Sequence, residues 1–237
     1  MATRPDAAGT DLVGMLTATP LFSGLPGAAI AAVAEAMQPQ TFTAGQSIFS
    51  RDQAGDALYL VEAGRVRLSL RTPEGRELTL RYVEAGEVMG EIAAIDQGPR
   101  SADAVAVSLV KAHALTAQKL AEVMDRNPAV GRAALGFVCG RLRDTTSQLE
   151  EIALYPIERR VARFLISALA LGGHDPSQTD ITLDLKMNQT ELARLLGASR
   201  PKVNVALGAL SQAGAITRQG DSIVCHVAAL NAYAGAE

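Results

Sequence analysis

Short apolar runs separated by glycine-containing turns fill the middle of the N-terminal half of the chain. The runs are rich in Val, Ile, Leu and Tyr and cover residues 41–50, 57–62, 65–71 and 77–83. Turn residues end them at Ala44-Gly45, Ala54-Gly55-Asp56, Ala63-Gly64, Pro73-Glu74-Gly75 and Ala85-Gly86. Short strands at such regular spacing predict a sandwich or barrel, which further strands within 102–115 complete.

Helical periodicity flanks this region on both sides. Over 11–37 apolar residues recur at helical intervals, interrupted by proline and glycine, which predicts short helices broken by turns. A long helix is expected from about Ala117 and, after Pro128, on to about Leu154. It ends before Pro156, because a residue that precedes proline disfavours the helical conformation.

A heptad seam runs along the second half of that helix. Residues spaced by alternating steps of four and three are Val138, Leu142, Thr145, Leu149 and Ile152. Two such helices would pair as a coiled coil, which predicts a dimer. Packing of this short stripe on its own domain is the alternative.

Charge is unevenly distributed along the 237 residues. The net charge is −3, yet residues 186–218 contain a single acid, Glu191. The basic residues of that segment are Lys186, Arg194, Arg200, Lys202 and Arg218. Because phosphate binding depends on where the positive charges lie, this segment is the candidate nucleic-acid-binding region.

Several classes of protein are not expected from this sequence. No run approaches roughly 18 apolar residues and no secretory signal is recognisable, so we expect a cytoplasmic protein. Cys139 and Cys225 lie far apart without CxxC spacing, which favours free thiols over a disulfide or a metal site. No nucleophile with its base, metal triad or glycine-rich phosphate loop is recognisable, so we do not expect an enzyme.

The segment from Asn188 onward predicts two short helices joined by a tight turn. Asn188 and Glu191 have the spacing of a capping box at the start of the first helix. Gly197 can close that helix in the left-handed conformation. Ser199 is expected to cap the second helix, with Pro201 in its first turn.

The N-terminal end of the second helix is where a recognition helix contacts bases and phosphates. Arg and Asn side chains suit base edges, and Gln189 and Ser199 are placed to contact phosphate. The candidate DNA contacts are Gln189, Ser199, Arg200, Lys202 and Asn204. Two such helices also occur in purely structural bundles, but residues 215–218 and 222–227 flank Gln219-Gly220-Asp221 and predict a hairpin, the wing of a winged helix-turn-helix.

Residues 90–102 carry the chemistry of an anion site. They are Gly-Glu-Ile-Ala-Ala-Ile-Asp-Gln-Gly-Pro-Arg-Ser-Ala. A short helical turn after Gly90 offers backbone N–H groups to an anion, and Arg100 adds a cationic fork that fits phosphate. The alternative is an ion pair between Glu91 and Arg100 in a barrel that binds no ligand.

The order of barrel, long helix and winged helix-turn-helix resembles the Crp/Fnr family of bacterial regulators. Residues 90–102 look like the phosphate-binding cassette of cyclic-nucleotide-binding domains. The resemblance implies an α+β fold with an N-terminal cyclic-nucleotide-binding β-barrel of the jelly-roll type, a long dimerisation helix and a C-terminal winged helix-turn-helix. The implied domains are 11–127, 128–155 and 156–237.

The resemblance also implies the ligand contacts. The implied ligand-binding residues are Gly90, Glu91, Ile92, Ala93, Arg100, Ser101, Arg141, Thr145 and Thr146. Arg100 and Ser101 would bind the cyclic phosphate, and Glu91 would accept from the ribose 2′-hydroxyl. Thr145 and Thr146 match two hydroxyl residues that meet the base, one of them from the partner subunit.

By this resemblance the chain is a homodimeric transcription regulator without a metal. It is expected to bind cAMP or cGMP, which changes the orientation of its recognition helices. The expected DNA is double-stranded and pseudo-palindromic, and RNA polymerase is a further candidate partner. Pro201 and Val205 stand where the family has a base-reading Glu and Arg, so a different operator is expected. Three alternatives stay open: a different effector such as cyclic di-GMP, constitutive DNA binding, or a nucleotide-binding module that serves only protein interaction.

Overall fold

The computed structural model describes residues 11–174, 178–185, 187–220 and 222–235, which form two compact units. One unit holds the described chain up to Leu70 together with Leu80–Arg143. The other holds Arg71–Thr79 and the described chain from Asp144 onward. Each unit has a hydrophobic core of its own.

Two short helices open the described chain, as the broken helical periodicity predicts. These are α1 (Leu12–Ala18) and α2 (Gly27–Ala36). The carboxylate of Asp11 caps α1 by accepting from the backbone N–H of Gly14 at 2.9 Å. The buried faces of both helices pack into one core with apolar residues of the sheet behind them.

Eight strands build a two-layered antiparallel barrel. They are β1 (Gln38–Phe42), β2 (Ser47–Phe49), β3 (Ala57–Ala63), β4 (Val66–Arg71), β5 (Glu77–Val83), β6 (Val88–Met89), β7 (Asp103–Ala106) and β8 (Val110–Thr116). One sheet has the order β1-β8-β3-β6 and the other β2-β7-β4-β5. Large side chains from both sheets, among them Phe49 and Val61, fill the space between the layers, which confirms the jelly-roll architecture.

A short helix, α3 (Glu91–Asp96), follows the two-residue strand β6 directly. Antiparallel pairing places Tyr59 of β3 opposite Met89. The start of α3 is therefore held next to the β3 strand. Strand β6 is too short for the alternating pattern to indicate it, and the sequence did not predict it.

The helix expected from Ala117 is two helices, α4 (Ala117–Arg126) and α5 (Pro128–Leu154). Asn127 separates them with φ −134° and ψ 84°, because the proline that follows disfavours a helical Asn127. The prediction of a continuous helix was therefore wrong at this residue. The 27-residue α5 is the long helix of the fold.

The remaining elements form a winged helix-turn-helix. They are α6 (Ile157–Leu171), β9 (Asp180–Asp184), α7 (Gln189–Leu195), α8 (Arg200–Gln212), β10 (Ile216–Gln219), β11 (Ser222–His226) and α9 (Val227–Ala234). The three strands pair in the order β10-β11-β9. The sequence did not predict β9 or α9, and it placed Gln219 in the turn, whereas Gln219 pairs with Ser222 as the last residue of β10.

The fold is α+β, with a jelly-roll barrel, a long helix and a winged helix-turn-helix in that order. Within the described ranges, no helix has the length and apolar character needed to cross a lipid bilayer.

Candidate ligand and DNA sites

The anion-binding segment sits at the turn from β6 into α3. Gly90 has φ +75°, a left-handed conformation that residues with side chains rarely adopt. A Cβ atom at this position would also lie 2.5 Å from Nη1 of Arg100 and 3.2 Å from the carbonyl oxygen of Ala57. Glycine is therefore required here both by the backbone turn and by the close approach of the arginine.

The guanidinium of Arg100 is buried at the centre of this segment. Its Nη1 donates to the carbonyl oxygens of Ala57 at 2.6 Å and Gly90 at 3.1 Å, and its Nη2 donates to the carboxylate of Asp56 at 3.1 Å. The guanidinium carbon lies 4.3 Å from the centroid of the Phe49 ring. The arginine is thus fixed by contacts on several sides.

The Nε donor of Arg100 has no partner among the described residues. Its Nε is inaccessible to solvent and makes no hydrogen bond with any described residue. A buried N–H without an acceptor is costly, and native structures rarely leave one unpaired. A phosphate oxygen is the acceptor that an arginine fork fits in geometry and charge, so the residues present fit a cyclic phosphate.

Glu91 begins α3 and is also buried. Oε1 of Glu91 lies 3.9 Å from Nε of Arg141 on α5, and the Arg141 guanidinium lies 4.8 Å from the centroid of the Phe137 ring. The structure therefore pairs Glu91 with Arg141 and Arg100 with Asp56. The Glu91–Arg100 ion pair that was the alternative interpretation is not the arrangement found.

The other predicted ligand residues differ in their surroundings. Ala93 is buried in α3, whereas Ile92 on the same helix and Ser101 after the cassette are exposed. Thr145 and Thr146 are exposed on α5, in the second unit. The structure brings together Gly90, Glu91, Ala93, Arg100 and Arg141 within the first unit.

A loop between β2 and β3 completes the anion-binding segment, and the sequence interpretation missed it. The backbone N–H of Arg100 donates to the Gln53 carbonyl at 2.8 Å, and the Arg100 carbonyl accepts from Asp52 at 3.0 Å. A Cβ atom on Gly55 would collide with Cβ of Ala93. The sequence Ala54-Gly55-Asp56 predicts only a turn, and the available signal for its role in the site is the acid directly after a glycine.

The phenol of Tyr59 reports the electrostatics of this region. Burial raises the pKa of Tyr59 above its usual value, Arg100 lowers that pKa and Asp56 raises it. Burial has the largest effect, so Tyr59 stays protonated at neutral pH. The phenol therefore adds no negative charge to the space beside Arg100.

The helix pair of the second unit is built as the capping residues predict. Oδ1 of Asn188 accepts from the N–H groups of Thr190 at 2.9 Å and Glu191 at 3.0 Å. Glu191 reaches back to the Asn188 N–H at 2.8 Å, which completes the capping box. Gly197 has φ +58° and makes the turn between α7 and α8.

Ser199 stands at the N-cap position of α8, but its side chain makes no capping hydrogen bond. That part of the expectation was wrong, and the hydroxyl is exposed instead. Pro201 in the first turn supplies no N–H group, so one donor fewer needs a cap there. The side chain of Ser199 is consequently not committed to the helix.

The start of α8 presents polar side chains outward. Val203, Ala206, Leu207 and Leu210 are buried in the core of the unit, as expected. The exposed side chains at this end are Ser199, Arg200, Lys202 and Asn204, and Gln189 at the start of α7 is partly exposed. An exposed polar end above a buried apolar face is the arrangement of a recognition helix.

A cleft of about 1020 Å³ runs between α7, the start of α8 and the β10–β11 hairpin. Its basic lining residues are Arg194, Arg200 and Arg218, and its acidic lining residues are Asp184 and Glu191. Of the wing turn, Gly220 has φ +60°, while Asp221 lies outside the described residues, as does Lys186. The described part of the chain contains no group of three or more His, Cys, Asp or Glu that could hold a metal ion.

Comparison with known proteins gives both halves of the chain a family. Residues 39–127 match the cyclic nucleotide-binding domain and residues 159–233 match the Crp-like helix-turn-helix domain. The CRP-like cAMP-activated global transcriptional regulator of Mycobacterium tuberculosis is 32% identical over 205 residues, covering 86% of this chain and 91% of that protein.

Solved structures show the same fold. The Thermus thermophilus catabolite activator protein is 31% identical, with a TM-score of 0.53 and coverage of 92% of this chain and 99% of that one. The c-di-GMP responsive regulator CLP of Xanthomonas campestris is 22% identical, with a TM-score of 0.71 and coverage of 85% and 99%. The second likeness concerns the fold alone. The chain therefore belongs to the Crp/Fnr family of DNA-binding transcription regulators that carry a cyclic-nucleotide-binding domain.

Proposed function

We propose that the chain is a homodimeric transcription regulator whose affinity for DNA is set by cAMP or cGMP bound in the barrel. The observation that carries the ligand proposal is the buried Nε of Arg100, a donor without an acceptor in the described part of the chain. A cyclic phosphate supplies that acceptor and a negative charge together. The relatives named as cAMP-activated support this class of ligand.

The other ligand contacts follow the cassette. Ser101 is exposed beside Arg100 and is assigned to the phosphate, while Glu91 is assigned to the ribose hydroxyl. Gly90, Ile92 and Ala93 are assigned to the lining of the pocket. Arg141 lies 3.9 Å from Glu91 and pairs with that carboxylate, whose oxygens can accept hydrogen bonds.

The long helix is proposed as the dimerisation element. Leu135, Leu142 and Leu149 are exposed on α5 at steps of one heptad. Exposed leucines at this spacing form a stripe that a second copy of the helix would cover. Thr145 and Thr146 lie on the same helix, one turn beyond Arg141, and are assigned to the base of the nucleotide.

The second unit is proposed to bind DNA through the start of α8. Arg200, Lys202 and Asn204 are assigned to base edges and phosphates, and Gln189 and Ser199 to phosphates. A symmetric dimer places two such helices about one DNA turn apart, so the operator is pseudo-palindromic. Nucleotide binding changes the orientation of the two recognition helices. The proposed domains are the nucleotide-binding barrel at 11–127, the dimerisation helix at 128–155 and the DNA-binding domain at 156–237.

Calorimetric titration of the purified protein with cAMP and with cGMP tests the ligand assignment. We expect micromolar or tighter binding of at least one nucleotide, with one site per chain. Arg100→Ala should weaken that binding by roughly 100-fold, because a charge-assisted arginine contact contributes about 3 kcal/mol. Arg76→Ala, a change at an exposed arginine of the β4–β5 turn, is the matched control and should bind normally.

Each result has a defined meaning. No heat with either nucleotide, from protein that melts cooperatively, would overturn the ligand assignment and direct the titration to cyclic di-GMP. Equal affinity of Arg100→Ala and wild type would place the ligand elsewhere in the chain. Arg100→Lys should also bind weakly, since an ammonium cannot reproduce the fork of a guanidinium.

A further inference from the structure

The ion pair between Arg100 and Asp56 is unusual in its asymmetry. The Arg100 side chain is 2% exposed, whereas the Asp56 side chain is 87% exposed. A buried guanidinium needs a counter-charge, because an unpaired buried charge is strongly unfavourable. The one carboxylate that meets it in the described chain is therefore almost entirely in water.

The three hydrogen bonds of Arg100 go to two fixed partners and one replaceable partner. The two Nη1 contacts go to the backbone carbonyls of Ala57 and Gly90, which belong to β3 and to the turn before α3. One Nη2 donor goes to the Asp56 carboxylate, and Nε has no partner in the described residues. The carbonyls fix where the guanidinium lies, and the Asp56 carboxylate supplies its negative charge.

We propose that Asp56 is the resident counter-ion of the nucleotide site, and that the cyclic phosphate takes over this role when it binds. The inference rests on the proposed function of the cassette. The phosphate brings the negative charge that Arg100 otherwise draws from Asp56, and it also satisfies Nε. Part of the binding energy of the phosphate is therefore spent on displacing Asp56 from Arg100.

The exchange requires movement of one side chain only. The backbone of the loop is tied to the cassette by the Arg100–Gln53, Asp52–Arg100 and Gly55–Gly98 hydrogen bonds. These bonds do not involve the Asp56 carboxylate. Because that side chain already faces water, it can turn away from Arg100 while the loop stays in place.

Charge exchange restricts the class of ligand. A cyclic nucleotide carries one negative charge on its phosphodiester and can replace a carboxylate at Arg100. A nucleoside has no charge to offer, so it leaves the Arg100–Asp56 pair intact, gains no contact with Arg100 and should bind far more weakly than the cyclic nucleotide. The site is therefore selective for an anion before it is selective for a base.

The test compares Asp56→Asn with the wild type by calorimetry, using cAMP, cGMP, adenosine and guanosine as probes. The asparagine keeps an oxygen that can accept from Nη2 and removes only the charge. We expect the variant to bind the cyclic nucleotide about fivefold more tightly, the range that a partly solvated ion pair contributes. Neither protein should bind the nucleosides measurably.

Thermal unfolding gives a second readout from the same proteins. The ligand-free variant should melt at a lower temperature than the wild type, because Arg100 loses its counter-charge. The rise in melting temperature on adding cyclic nucleotide should be larger in the variant, as its tighter binding requires. A merely structural role of Asp56 would lower stability without tightening binding.

Asp52→Asn is the matched control, because it alters only the side chain and keeps the backbone hydrogen bond from Asp52 to Arg100. It removes the same charge from the same loop, at a residue whose carboxylate lies 3.8 Å from Arg51. Asparagine tolerates the left-handed backbone of this position, φ +65°. Its nucleotide affinity should equal that of the wild type.

The outcomes separate this inference from the function on which it rests. Absence of nucleotide binding by the wild type overturns the proposed function. Normal wild-type binding with equal or weaker binding by Asp56→Asn overturns the counter-ion role alone. Equal tightening in Asp52→Asn and Asp56→Asn would show a general charge effect and would also overturn it.

Discussion

The two cysteines illustrate how burial alone decides the chemistry of a side chain. Cys139 is exposed on α5, whereas Cys225 is buried at the centre of the β9–β11 sheet. Burial raises the pKa of Cys225 from 9.0 to about 11. Since the thiolate is the reactive form, an alkylating reagent should modify Cys139 rapidly in the native protein and Cys225 only after unfolding.

The raised pKa of Cys225 also predicts a dependence of stability on pH. Between pH 9 and 11 the thiol ionises in the unfolded chain while it stays protonated in the folded one. The unfolded state therefore gains stability as pH rises, and on the order of 2 kcal/mol of folding free energy is lost over this range. Denaturant unfolding of the protein at pH 8.5, 9.5, 10.5 and about 11 would measure the loss.

Variants at the two cysteines control for the other groups that titrate at alkaline pH. Cys225→Ala should lose less stability over this range than the wild type, by that same 2 kcal/mol or so. Cys139→Ala, which removes an exposed thiol, should follow the wild type. Identical pH profiles for all three proteins would contradict the assignment.

At the residue scale, the sequence predicted Gly90 and Arg100 as members of the site, but not the residues of other elements that contact them. Gly90 and Arg100 carry a chemistry that local spacing shows, namely a glycine turn followed by a cationic fork. Asp56 lies 44 positions before Arg100, so only the folded barrel reveals that the two meet. The same holds for Gly55, whose need for a bare backbone comes from Ala93 on another element.

The seam of α5 is the feature that matters most at the scale of elements. Leu142 is 66% exposed at the centre of the stripe from Leu135 to Leu149. If this stripe forms the dimer interface, Leu142→Glu places two like charges in an apolar seam. We expect sedimentation equilibrium to show a dimer for the wild type and a dissociation constant raised at least roughly 100-fold for the variant.

Leu154→Glu is the matched control for the seam. Leu154 is 70% exposed on the same helix but lies two positions beyond Ile152, off the seam. The variant should remain a dimer. Dissociation by both substitutions, or by neither, would contradict the assignment of α5 as the interface.

Elements were predictable where their pattern was long or their caps were strong. The capping box at Asn188 and the turn at Gly197 fixed the helix pair without any knowledge of tertiary structure. Strand β6 has two residues, too few for alternation to show, and β9 pairs with β11 from a distant part of the chain. Their existence depends on partners that local sequence does not specify.

At the scale of the whole molecule, three parts of the chain have separate roles. In the proposed function, the barrel binds a cyclic phosphate at Arg100, α5 pairs with a second copy through its leucine stripe, and α8 contacts DNA through its polar side chains. A ligand shifts the equilibrium between two conformational states of a protein only by the difference in its affinity for those states. Regulation by nucleotide is therefore a coupling free energy that can be measured directly.

The most direct measurement is the affinity of the protein for DNA with and without cyclic nucleotide, by fluorescence anisotropy. The probe is a labelled duplex selected from a random library by the nucleotide-bound protein. We expect cAMP or cGMP to tighten DNA binding by about 5- to 150-fold, and we expect this effect to disappear in Arg100→Ala. Arg200→Ala should weaken DNA binding whether or not nucleotide is present. An affinity that no cyclic nucleotide changes would contradict the account, even if the nucleotide itself bound.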